Sequence, residues 1–164
     1  MVDQLPESLN IASIYKYGGS WSLLTFYISN LCSSIQTPRP AEQQDIALIG
    51  TEIKTLPVLN RETAAQRLLE LLDIAEKAKK SPLPLFSKAN LTFATSQKKK
   101  KANALTTFTG TKYVTGDMQT TALLDRFFTP ESFDDENFFS EFARLSRIVY
   151  APWFVEEVIE SDKK

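Results

Sequence analysis

Asp45-Ile46-Ala47-Leu48-Ile49-Gly50-Thr51-Glu52-Ile53-Lys54-Thr55-Leu56-Pro57-Val58 is the stretch on which the fold class turns. Ile46 to Ile49 is a short apolar run, Gly50 follows it, and Ile53, Leu56 and Val58 lie beyond. Apolar, β-branched runs of this length on either side of a glycine read as two strands joined by a tight turn around Gly50-Thr51. The flanking segments are helical. On the upstream side, Ile11 to Tyr17 reads as a further short strand, stopped by Gly18-Gly19. A helix then runs from Ser20, whose hydroxyl is placed to cap it, to about Ile35. Trp21, Leu24, Ile28, Leu31 and Ile35 recur on it at helical spacing, with Phe26 and Tyr27 widening the apolar face, and Pro38 and Pro40 end it.

On the downstream side, Asn60 is placed to cap a helix whose apolar face is Ala64, Ala65, Leu68, Leu71, Leu72 and Ala75. Glu62 in its first turn and Lys77, Lys79 and Lys80 at its end suit the helix dipole. Pro82 and Pro84 then force an extended link. The pattern beyond predicts a helix over about 87–105 and a Thr/Gly-rich loop over 106–117, with Phe108 to Val114 also able to form a strand. It ends with helices around 119–128 and from Asp134 onward. Phe138, Phe142, Leu145 and Val149 form one stripe of the last helix, and Pro152 should kink or restart it. The whole reads as an α/β (α+β) chain with a small mixed sheet flanked by helices. Residues 1–9 are a loose lead-in, 10–160 a single domain, and 161–164 a polar tail.

With 164 residues the chain can bury a sizeable core. Nineteen basic and 20 acidic residues leave a net charge of −1, so no global positive field draws it to nucleic acid. The single cysteine, Cys32, excludes an intramolecular disulfide and reads as a small buried apolar side chain beside Leu31 and Ile35. The absence of histidine removes Ser-His and Cys-His nucleophile pairs and histidine metal ligation within the chain itself. No secretory leader and no long apolar run are legible, so a reducing, cytoplasmic location without membrane contact is the expectation.

Three residues of the hairpin carry possible chemistry. Asp45, Glu52 and Lys54 follow the Asp…Glu-x-Lys order with which PD-(D/E)XK nucleases hold a divalent cation on two carboxylates and place a lysine by the attacking water. Strand alternation allows Glu52 and Lys54 to share a face. Against this stand the commonness of Glu-x-Lys, the six residues between Asp45 and Glu52, and Gln44 where such sites carry proline. The competing reading is charges on the solvated face of an edge hairpin. Lys98-Lys99-Lys100-Lys101, with Lys88, is the one basic cluster and a candidate path for a DNA strand. Its competing reading is a solvated helix face, since four successive lysines point all round and no aromatic interleaves them in sequence. The adjacent aromatics Phe127-Phe128, Phe138-Phe139 and Trp153-Phe154 cannot all face one core. Phe127, Phe139, Trp153 and Phe154 are therefore candidates for contact with another chain. No phosphate-cradling glycine loop is present, and no cofactor or metal is expected.

The last part of the chain bears a family likeness. Phe108-Thr109-Gly110-Thr111-Lys112-Tyr113, Leu123-Leu124-Asp125-Arg126-Phe127-Phe128, Phe138-Phe139-Ser140-Glu141-Phe142-Ala143 and Ile148-Val149-Tyr150-Ala151-Pro152-Trp153-Phe154 resemble, in order, the end of RecC-type gamma subunits of exonuclease V. Pro82-Leu83-Pro84-Leu85-Phe86-Ser87-Lys88-Ala89 is similar to that family's Pro-Leu-Pro-x-x-x-Lys-x-Ala run. Where the family has an acidic residue followed by Asp-Pro-Tyr, this chain has Gly116-Asp117-Met118-Gln119-Thr120-Thr121-Ala122; Asp117 keeps the acidic position. The resemblance covers about residues 10–158. It implies a PD-(D/E)XK nuclease-like domain, akin to that of RecB but catalytically degenerate, with a C-terminal helical extension. It also implies a scaffold role beside RecB-like and RecD-like subunits and the remainder of RecC, with DNA met through the assembled complex in double-strand-break repair and recombination. An autonomous magnesium-dependent nuclease using Asp45, Glu52 and Lys54, and a stand-alone protein-interaction domain, are the alternatives.

Overall fold

In the computed structural model, residues 9–15, 19–37, 39–121 and 123–157 are described. The expected lead-in up to residue 8, the end of the first strand at Lys16 and Tyr17, Gly18, Pro38, Ala122 and the polar tail lie outside them. The chain is mixed α/β and divides into two compact units, Met1–Ala75 and Glu76–Lys164, where the sequence reading gathers 10–160 into one.

The first unit is built on a three-stranded mixed sheet in the order β1-β2-β3. Strand β1 (Leu9–Tyr15) pairs in parallel with β2 (Gln44–Ile49), and β2 pairs antiparallel with β3 (Glu52–Pro57). The tight turn is where the sequence places it: Gly50 takes a positive φ of 64°, which glycine adopts without steric strain. A parallel β1–β2 pair needs a crossover, and helix α1 (Ser20–Gln36) supplies it.

The face of α1 matches the expected one at Phe26, Tyr27 and Leu31 and differs elsewhere. Leu23, Phe26, Tyr27, Asn30, Leu31 and Ser34 are buried, whereas Trp21 is 76% exposed and Ile28 also faces solvent. Two polar residues sit in the buried stripe, which rotates the helix away from the purely apolar periodicity. Nor does Ser20 cap it: Gly19, at φ 117°, is the cap residue and no side chain bonds the first turn. Helix α2 (Arg61–Ala78) starts as expected, with Asn60 Oδ1 accepting from the Thr63 amide at 2.8 Å. Ala64 and Ile74 are its buried residues, while Leu69 and Leu72 are exposed.

The second unit is helical. The single helix expected over 87–105 is broken into α3 (Ala89–Thr95) and α4 (Lys100–Thr109). Lys99 at the break takes a left-handed φ of 52°. The loop after Thr109 holds no strand; α5 (Asp117–Thr120) and a 3-10 turn at Leu124–Arg126 replace the helix expected at 119–128. After a second 3-10 turn (Pro130–Asp134), α6 (Glu136–Val149) begins under an Asp135 cap that accepts from the Phe138 amide at 2.7 Å. It stops before the Ala151–Trp153 turn, as Pro152 requires.

Phenylalanines make this unit's core. Phe86, Phe93, Phe108, Phe133 and Phe142 are buried together with Ala89 and Ala104. Phe86 and Phe108 have ring centroids 4.6 Å apart, Phe133 and Phe142 5.1 Å, and Phe93 meets Phe142 edge-on at 5.4 Å. Both members of the Phe138-Phe139 pair find partners: Phe138 packs on Phe133 and Phe139 on Phe93.

Two polar hubs lock the elements of this unit. Asn90, fully buried, accepts from the Phe86 amide and donates to Ser146 Oγ at 2.8 Å and the Pro84 carbonyl at 3.2 Å. Asp117, also buried, accepts from the amides of Lys88 (3.1 Å) and Ala89 (2.8 Å) and from Ser87 Oγ (3.0 Å). It therefore serves the first turn of α3 from the start of α5.

Candidate functional site

The β2–β3 hairpin positions the three residues whose order suits a metal nuclease. Asp45 lies opposite Leu56, Ala47 opposite Lys54, and Ile49 opposite Glu52. Directly paired residues project to one face, so Asp45, Lys54 and Glu52 share the face that α1 covers. Sharing a face does not bring the carboxylates together. Asp45 and Glu52 stand four pairs apart along the ladder, about 13 Å at the strand rise, well beyond the reach of one shared cation.

Their surroundings differ as sharply as their positions. Asp45 is buried and its charge is already matched: Arg39 Nη1 donates to Oδ1 at 2.5 Å and Nη2 to Oδ2 at 3.2 Å. Asn30 Nδ2, from α1, donates to the same Oδ2 at 2.9 Å and also to the Pro57 carbonyl at 3.1 Å. Both carboxylate oxygens are thus engaged in a buried fork and a helix-to-strand tie. Glu52 stays in solvent, its side chain 67% exposed, and pairs with Lys54 Nζ at 2.6 Å. The hydrogen bond and charge of Lys54 hold the Glu52 carboxyl below its usual value. Among the described residues, no three His, Cys, Asp or Glu side chains gather into a set that could hold a metal ion.

The sequence reading does not single out Arg39 or Asn30. The one legible signal is Arg39 between two prolines, which stiffen its backbone, and Asn30 one turn from Tyr27 and Ser34 on α1.

The basic cluster is split by the α3–α4 break. Lys88 and Lys98 to Lys101 do not form one stripe. Lys88 Nζ donates to the Thr115 carbonyl at 2.7 Å. Lys99 is exposed at the break. Lys100 turns inward: its ammonium donates to the Phe93 carbonyl at 3.0 Å and sits 4.2 Å from the centre of the Phe154 ring. Burial pulls its pKa down, and the carboxylates of Glu157 and Glu156 partly offset that. Lys101 pairs with Asp134 at 3.3 Å and lies over the Phe139 ring at 5.2 Å. Aromatics absent from the run in sequence are thus beside it in space.

Of the candidate contact residues, Phe127 is 60% exposed. Phe139 and Phe154 are partly buried against the phenylalanine core, and Trp153 is half-buried. Tyr113 and Val114 stand exposed on the loop between Gly110 and Gly116, which the sequence reading does not name as a contact surface. Cys32 is half-buried rather than buried, with a free thiol. No described helix is long and apolar enough to cross a membrane.

The chain matches no protein-family model and no curated protein.

Proposed function

We propose that the chain is a non-catalytic scaffold domain of the RecC type, nuclease-like in ancestry. Its work is to hold neighbouring subunits, RecB-like and RecD-like, and the rest of a larger gamma subunit. The observation that carries the reading is Asp45. In the Asp…Glu-x-Lys order its carboxylate would be the metal-binding acid; here Arg39 and Asn30 occupy both of its oxygens and Glu52 is four ladder pairs away. A buried ion pair at that place serves structure where a nuclease would keep a free ligand. The apolar residues left in solvent fit the same role. Leu48 and Ile53, directly opposite each other, and Phe127 are available for burial by another chain.

The test is co-expression of the chain with the remainder of a RecC subunit and the cognate RecB-like subunit. Co-elution as one complex is the expected result, weakened by Phe127→Ser without loss of helix content. Failure to associate overturns the proposal. A parallel incubation with linear duplex and single-stranded DNA in magnesium or manganese decides the enzymatic alternative. Cleavage that disappears in Glu52→Ala would make the chain a nuclease.

A further inference from the structure

Strand β3 is the last strand of the sheet among the described residues, so one of its edges has no neighbouring strand. The hairpin fixes which residues face that edge. Ile49 and Glu52 close the two-residue turn Gly50-Thr51, with glycine at its first central position at φ 64°. The closing pair exchanges its hydrogen bonds, and bonded and unbonded pairs then alternate along the ladder. Glu52, Lys54 and Leu56 therefore bond inward to β2, and the Val58 amide keeps the phase by donating to the Gln43 carbonyl at 3.2 Å. Ile53 and Thr55 turn their amides and carbonyls outward. We propose that a second copy of this chain pairs at this edge, β3 antiparallel to β3, with Ile53 opposite Ile53 and Glu52 opposite Lys54 on both sides of the axis.

Charge selects that alignment. Outward residues must meet outward residues, which leaves few choices. With Ile53 opposite Thr55, Lys54 faces Lys54; with Ile53 opposite Thr51, Glu52 faces Glu52, and like charges directly opposite are unfavourable. Pro57 closes the alignments beyond, because it has no N–H and its carbonyl already accepts from Asn30 Nδ2 at 3.1 Å. With Ile53 opposite Ile53, Glu52 of each copy lies across from Lys54 of the other. The two ion pairs so formed use the side chains that pair within the single strand at 2.6 Å.

The opposite face of the sheet adds apolar burial. Ile53 is 71% exposed, and Leu48, directly across from it on β2, also reaches solvent. The same alignment sets them in one row, Leu48-Ile53-Ile53-Leu48, across four adjacent strands. An exposed apolar edge strand is a template for another strand, and the two-fold axis through Ile53 closes this contact at two copies. The contact is one strand pair wide, smaller than a stable interface, so the association is weak and concentration-dependent. It needs only this chain, and so goes beyond the scaffold reading without resting on it.

The experiment joins oxidative cross-linking of the full chain to sedimentation equilibrium. In a Cys32→Ser background, Ile53→Cys is compared with Thr55→Cys. In the proposed alignment the two Cα atoms at Ile53 lie about 5.5 Å apart, within disulfide reach, and those at Thr55 about 14 Å apart, beyond it. The Ile53→Cys chain is expected to form a disulfide-linked dimer and the Thr55→Cys chain to stay monomeric. Sedimentation of the parent should show a monomer–dimer equilibrium. Lys54→Glu turns both ion pairs repulsive and should weaken it about tenfold; adding Glu52→Lys should restore it, with the circular dichroism of each variant unchanged. A monomeric parent overturns the proposal and leaves the edge to a strand of another protein. Equal cross-linking of the two cysteine variants overturns it as well. So does a dimer indifferent to Lys54→Glu, since the copies would then meet elsewhere.

Discussion

Replacing Asp45 by Asn separates a structural carboxylate from a catalytic one. A metal-binding acid held in readiness destabilises its own fold by charge repulsion and burial, so removing its charge leaves stability level or raises it. Asp45 is placed otherwise. Its side chain and that of Arg39 are 2% and 8% exposed, and the guanidinium fork spans both oxygens. The substituted amide would keep one oxygen as an acceptor but would leave the Arg39 charge buried without a counter-ion. Its NH₂ group would also face Arg39 and the Asn30 amide, which are both donors. Breaking one side of a buried pair costs about 3–5 kcal/mol. The retained acceptor puts the expected loss near the low end, about 3 kcal/mol. With a urea slope of about 2 kcal/mol/M, the midpoint falls by roughly 1.5 M. Far-UV circular dichroism gives the midpoint, and amide exchange in β2 and β3 localises the loss to the first unit. Glu52→Gln is the internal control: its carboxylate is in solvent, so the midpoint should not move. An Asp45→Asn protein as stable as the parent would refute the argument that Arg39 and Asp45 form a structural pair.

Three further outcomes follow from the second unit. Asn90→Ala removes the acceptor of the Phe86 amide and the donor to Ser146 and Pro84 inside the core; a loss of about 3 kcal/mol, or roughly 6–12 °C in Tm, is expected by calorimetry. Gly116→Ala places a Cβ in overlap with the Gly110 amide nitrogen and the Phe108 carbonyl, so the loop must move and soluble yield or Tm should drop sharply; a Tm equal to the parent's contradicts the close approach. Glu141 is held below its usual carboxyl value chiefly by the hydrogen bonds from Arg144 at 2.6 and 2.7 Å. A depressed folded value contributes stability that is present above the ordinary carboxylate range and lost as pH falls through the folded value. Glu141→Gln should therefore flatten the acid limb of a Tm-against-pH curve, and an identical limb would show that the pair contributes nothing.

The elements that local chemistry dictates are legible in the chain. Gly50 between two apolar runs marks the hairpin, Asn60 marks the start of α2, and Pro152 marks the end of α6. What escapes is decided by contacts distant in sequence. Asn30 and Ser34 enter the buried face of α1 because Asp45 and the Leu59 amide, in and just beyond the hairpin, need partners. A periodicity count that scores only apolar residues therefore finds Phe26, Tyr27 and Leu31 but misses the polar part of that face and includes the exposed Trp21 and Ile28. The helix expected over 87–105 breaks where Lys98 to Lys101 are all good helix formers. There the break lets Lys100 turn its ammonium onto the Phe93 and Ala94 carbonyls at the end of α3. The candidate site is legible as residue types in order, but not as a site. Spacing in sequence cannot tell that two carboxylates on one face stand four pairs apart, nor that Arg39 claims one of them.

The burial of Lys100 sets the basic run apart from a stripe of phosphate-binding lysines. A lysine that serves phosphates must keep its ammonium in water, where releasing counterions supplies the binding. Lys100 has withdrawn its ammonium to backbone carbonyls and an aromatic ring, leaving Lys99 and Lys101 at the rim of an apolar cavity. Two lysines over phenylalanine walls, with Glu157 beside them, provide too little unopposed charge to hold a strand. The same logic holds at Asp45, where a charge is matched inside the fold and withheld from any ligand. In both units, then, a charged residue that looks chemical in the sequence is matched within the fold: Asp45 by Arg39 and Asn30, and Lys100 by the Phe93 carbonyl and the Phe154 ring.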